Sequence, residues 1–132
     1  MPALIYSNKR SGCYLGESNA VNQINEEIIV ASGTGILDAG TIIAKVTATG
    51  KYGVHDPAGT GGLELAANVA ILFHPVDATA ADVKTVATVR GPATISEPYL
   101  TYKAAMSAPN KIIARNNLRS KGMAVLGQHA GE

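Results

Sequence analysis

The chain has 132 residues, a formal net charge of +1 and only 16% charged side chains, so it offers no cationic footprint for nucleic acid or for an anionic membrane surface. Trp is absent, Phe73 is the single phenylalanine and the 46% hydrophobic fraction comes largely from Ala, Val and Ile, which predicts a thin core helped by self-association. The lone Cys13 excludes an intrachain disulfide, and no run approaches the roughly 20 apolar residues of a membrane span, nor does Met1 to Tyr14 hold the apolar stretch of an export signal.

From Pro2 to Gln23 no helical or strand period is sustained, and Ser7, Asn8, Ser11, Gly12, Gly16, Ser18, Asn19 and Asn22 give the stretch a loop composition. It reads as an extended arm over residues 1–25, ahead of a β domain over residues 26–132. Leu4, Ile5, Tyr6, Tyr14 and Leu15 supply more apolar surface than a solvating tail needs, so the arm is expected to become ordered along a partner.

Glu26 to Ala31 is a short β-branched strand ended by the turn residues Ser32 to Gly35. Next, Ile42, Ala44, Val46 and Ala48 alternate with Ile43, Lys45, Thr47 and Thr49, which predicts a strand with one buried face. Gly50 can take positive φ at no steric cost, so a hairpin with Tyr52 to His55 should follow. Beyond the glycine-rich loop at residues 57–62, Ala66 to Phe73 reads as a buried strand closed by Pro75. Asp77 to Asp82 is a turn, Val83 to Arg90 an alternating strand broken by Gly91 and Pro92, and Thr94 to Ser96 a brief continuation of the sheet.

Ser107 is the expected N-cap of a helix over about residues 108–121, with Pro109 in its first turn and Ile112, Ile113 and Leu118 as its apolar face. Gly122 stops it, and Met123 to Leu126 adds one closing strand. The expected fold is mainly β with one short C-terminal helix.

Chemistry-bearing patterns are sparse. Gly33, Thr34 and Gly35 are followed by Asp38 where a dinucleotide fingerprint needs glycine, and Lys51 is followed by Tyr52 where a phosphate loop needs Ser or Thr. His55, His74 and His129 are too far from one another and from Cys13 for metal-ligand spacing. His55 with Asp56 and His74 with Asp77 could supply acid–base pairs, and Ser32 or Ser96 a nucleophile, but no spacing gathers them. The residues therefore point to no enzyme, with no catalytic, cofactor-binding or metal-binding residue and no cofactor. Lys111, Arg115 and Arg119 recur every fourth residue and share one basic stripe, either a solvated face or a dock for an acidic partner.

Taken in order, Gly40 to Lys51 (GTIIAKVTATGK), the strand at Val69 to Phe73, the turn Val76 to Asp82 (VDATAAD), and Val89, Arg90 and Gly91 followed by Tyr99 and Leu100 resemble the head decoration proteins of tailed bacteriophages, relatives of the lambda capsid decoration protein. The resemblance spans about residues 30 to 126. Where many members carry Leu-x-Trp or Leu-Trp-Pro, this chain has Leu100, Thr101, Tyr102 and Lys103, with Tyr102 in the place of the usual aromatic anchor.

The resemblance implies a compact β-clip-like domain with an extended N-terminal arm. It also implies a homotrimer on the outer surface of the virion, made in the bacterial host cytoplasm and bound at local three-fold positions of the expanded head. Its partner would be the major capsid protein, which it would clamp against internal DNA pressure, with no direct contact to nucleic acid or membrane. On that reading Leu4, Ile5, Tyr6, Asn8, Lys9, Arg10 and Tyr14 belong to the capsid-binding arm, and Tyr99, Tyr102, Lys111 and Arg115 are candidate trimer or capsid contacts. The competing expectations are a virion-displayed binding module for a host-surface carbohydrate or peptide, and a small hydrolase built on His74 and Asp77. Lack of Trp speaks against a sugar platform.

Overall fold

The computed structural model describes Tyr14, residues 25–90 and residues 93–126. Five strands form a closed barrel. β1 (Asn25–Val30) pairs antiparallel with β7 (Val83–Thr88) along its whole length, from Asn25↔Thr88 to Val30↔Val83. β3 (Ile42–Lys45) pairs with β4 (Tyr52–Val54) on one side and with β5 (Val69–Leu72) on the other, and β5 continues to β7. A single parallel register pair, Val30↔Tyr52, joins β1 to β4 and completes the ring. Two short ladders flank it. β2 (Gly35–Leu37) pairs antiparallel with β6 (Val76–Ala78), and β8 (Ala93–Ser96) pairs in parallel with β9 (Met123–Leu126).

Among the described residues there is one α-helix, α1 (Ala108–Ser120), so the chain is mainly β with one C-terminal helix as expected. Its start follows the sequence: Ser107 Oγ accepts the Asn110 N–H at 3.3 Å, satisfying one of the orphan donors of the first turn. Its buried face follows only in part: Leu118 is enclosed as expected, but beside Ala114, whereas Ile112 and Ile113 stay half-exposed. The small Ala114 lets the helix approach β5 and β9 closely, and the two isoleucines fall on the flank of that contact.

The core lies in two clusters, one on each face of β3 and β5. Ile43, Ala70 and Leu72 point into the barrel with Val30, Leu37, Ala78 and Ala87. Ile42, Val69 and Ile71 point the other way, into a layer formed by Ala114 and Leu118 of α1, Met123 and Val125 of β9, Ile95 of β8, and Tyr14. The alternation at residues 42–49 therefore does not mark a half-buried strand. Ile42, Ile43 and Ala44 are all buried, as expected when a strand is covered on both sides.

That strand is also shorter than its alternation. The Gly50 N–H donates to Val46 O at 2.8 Å and the Thr49 N–H to the same oxygen at 3.3 Å, so residues 46–50 curl into a turn after Lys45. Ala66 to Asn68 form a 3-10 turn before β5 instead of extending it. Asp77 and Ala78, expected in a turn, are strand residues of β6.

Gly40 ties the layers together. Its φ is +90°, and a Cβ there would lie 2.4 Å from the Tyr99 carbonyl oxygen, because Gly40 O accepts the Thr101 N–H at 2.9 Å. Only glycine permits that approach.

Candidate functional site

The residues with catalytic potential are not assembled. His55 is fully enclosed: its Nδ1–H donates to Leu63 O at 2.6 Å and its Nε2 accepts from Asn117 Nδ2 at 3.1 Å. It is a strut between β4, the loop that follows and α1. Burial holds its pKa below the ordinary 6.5, against opposing contributions from the Leu63 hydrogen bond, Asp56 and Glu64. The Asp77 carboxylate is taken up by the Thr79 N–H and hydroxyl at 3.1 and 2.6 Å, and the His74 ring packs edge-on against Phe73. Among the described residues no three His, Cys, Asp or Glu side chains cluster as metal ligands, and no helix is long and apolar enough to cross a membrane. His129 and Cys13 lie outside the described residues.

Tyr14 requires a correction to the arm reading. Its ring is fully buried, edge-on to Phe73 with centroids 6.5 Å apart. The phenol donates to Thr88 Oγ1 at 2.6 Å, and Thr88 in turn donates to Asn25 Oδ1 at 2.6 Å. The Tyr14 carbonyl accepts the Ser96 N–H at 2.7 Å. Tyr14 is therefore part of the body, not a side chain free to meet a partner, and Asn25 is the first residue of β1. Leu4, Ile5, Tyr6, Asn8, Lys9 and Arg10 lie outside the described residues.

The structure brings Tyr102, Lys111 and Arg115 together with Glu97. The Tyr102 hydroxyl donates to Glu97 Oε2 and accepts from Arg115 Nη1, both at 3.1 Å, and Arg115 Nη1 is 3.7 Å from the same carboxylate. Lys111 Nζ stands 5.5 Å from the Tyr102 ring centroid. Burial is the main cause of a Tyr102 pKa above its ordinary value. The expected basic stripe is thus largely committed within the molecule, since Arg119 also donates to Asn116 Oδ1 at 2.9 Å and Val125 O at 3.2 Å. Tyr99, 51% exposed, ends the short 3-10 turn Glu97–Tyr99 that also carries Glu97.

Two apolar features stand at the surface. Ile36 is 75% exposed at the lip of a groove of about 570 Å3 lined by Leu37, Val54, Thr101, Tyr102 and Lys103. Ile112 and Ile113 crown the outer flank of α1. Three residues of strand carry no usable period, so nothing in the sequence marks Ile36, whereas helical spacing marks Ile112 and Ile113 as apolar without fixing which flank of the helix is covered.

Comparison with known proteins adds the remaining finding. The family model described as Bacteriophage lambda head decoration protein D matches residues 4–123. No curated protein matches the chain.

Proposed function

The chain belongs to the bacteriophage lambda head decoration protein D family, a premise that gives it a capsid decoration role, and from which we propose that it binds expanded heads as a homotrimer at local three-fold positions. Its partner there is the major capsid protein, and it strengthens the shell against internal DNA pressure. It acts as a structural cement, without catalysis, on the outer surface of the virion after synthesis in the bacterial host cytoplasm.

The observation that carries this reading is the anchoring of Tyr14, which gives residues 1–13 a fixed root on the body. A leader tethered in this way can carry the attachment residues Leu4, Ile5, Tyr6, Asn8, Lys9 and Arg10. Ordering about ten such residues costs on the order of 10 to 20 kcal/mol of backbone entropy. Burying Leu4, Ile5 and Tyr6 returns only about 1.5 to 3 kcal/mol each, so main-chain hydrogen bonds to the shell are needed as well. Three leaders on one trimer then multiply weak contacts through effective concentration. Exposed Tyr99, Ile36, Ile112 and Ile113, with the Tyr102, Lys111 and Arg115 cluster, are the body surfaces available to neighbouring copies and to the shell.

Sedimentation with expanded and immature heads tests the reading. The full chain should travel with expanded heads as a trimer, and a chain lacking residues 2–12 should remain folded and trimeric but stay in the supernatant. Undiminished attachment of the shortened chain would overturn the role given to the leader.

A further inference from the structure

β1 is six residues long, yet only Val30 is in register with β4, so the outer edge of residues 25–28 has no ladder partner among the described residues. The direction of its backbone groups follows from two hydrogen bonds. The Ala31 N–H donates outward to Tyr52 O at 2.9 Å, and Val86 O, opposite Glu27, points away from β1 to accept the Phe73 N–H at 3.0 Å. Because inward and outward pairs alternate along an antiparallel ladder, the N–H groups of Glu27 and Ile29 face away from β7. They open into a cleft of about 390 Å3 between β1 and the tip of the β3–β4 hairpin.

Charges on a strand edge commonly guard it against self-pairing. Here, however, Lys51 is taken by Asp82 at 2.7 Å and Glu26 by Arg90. That leaves Lys45 and Lys84 as two ammonium groups without a carboxylate partner among the described residues, against the single carboxylate of Glu27. Lys84 is directly in register with Ile29, and Lys45 stands on the facing wall.

We propose that this edge is a second attachment slot, which takes an extended, carboxylate-bearing segment of the shell subunit as an added β-strand. The backbone edge dictates an extended polypeptide, and the surplus of lysine dictates its charge. A second copy of β1 would bring the same lysine surplus to the pairing, and the chain's own leader carries Lys9 and Arg10, so neither complements the slot. The inference rests on the capsid-decoration reading above and names the segment of the partner that reading requires.

Amide hydrogen exchange of the full chain, free and bound to expanded heads, tests it. The peptide spanning Glu26 to Val30 should exchange quickly at Glu27 and Ile29 in the free protein and become protected on the shell. Glu27→Pro, read against Glu27→Ala so that the loss of the carboxylate is common to both, removes an outward N–H and should weaken attachment on the order of tenfold relative to that control with an unchanged melting temperature. Lys45→Glu combined with Lys84→Glu, which leaves the backbone intact, should do the same if the proline variant fails to fold. Full attachment with exchange at Glu27 unchanged, or with the lysine pair reversed at no cost, would overturn the slot alone. Failure of the unaltered chain to bind heads would overturn the decoration reading together with it.

Discussion

Removing residues 2–14 should unfold or strongly destabilise the body, whereas removing residues 2–12 should not. The difference lies in Tyr14. Deleting a fully buried aromatic ring costs about 3 to 5 kcal/mol, and the Ser96 N–H loses its acceptor for about 1 kcal/mol more. Against a total stability of about 5 to 15 kcal/mol, a loss of this size shifts the urea midpoint by roughly 2 M at the m-values of small proteins. Tyr14→Phe isolates the hydroxyl from both contributions. It keeps the ring and leaves the Thr88 to Asn25 hydrogen bond in place, so it should cost only about 1 kcal/mol. Urea denaturation of the four proteins at one fixed concentration is the assay, because association adds to apparent stability. Coincident midpoints for the full chain and the chain lacking residues 2–14 would refute the anchoring of the leader by Tyr14.

Two further outcomes follow from the packing. His55 has a lowered pKa through burial, so the folded state binds fewer protons than the unfolded one. Stability should be fully present above the ordinary value of 6.5 and fall as the solution is acidified through and below it; His55→Gln should flatten that part of a urea-midpoint profile. Gly40→Ala places a methyl group 2.4 Å from the Tyr99 carbonyl at a φ of +90°, and should cost about 2 kcal/mol or more in thermal unfolding. A Gly40→Ala protein with the parent's melting temperature would contradict the packing of β3 against the Tyr99 turn.

Local patterns made part of this fold legible. The β3–β4 hairpin, the Ser107 cap and the strand character of residues 26–30, 69–72 and 83–88 all announce themselves within a dozen residues, because alternation, turn glycines and caps are short-range signals. Tyr14 could not be placed that way. It sits in a loop-like stretch, and the groups that receive it, Ile71 and Thr88, are 57 and 74 residues away. β2 and β6 are three residues each, too short for any period to register. The isoleucines at 112 and 113 show the converse failure: the helix was evident, but which flank it buries depends on the layer it meets, and Ala114 won that place because its size suits close contact. The basic stripe is real as a spacing, but its side chains' partners, Glu97, Tyr102 and the Val125 carbonyl, lie outside the helix turns that reveal it.

A mechanical consequence follows from β3 and β5 serving both clusters at once. A load applied on the helix side reaches Ile42 and Ile71, and the adjoining residues of the same two strands hand it directly to the barrel interior. No lubricated plane separates the halves, so they should yield together in one rupture event under tension, a property suited to a rivet.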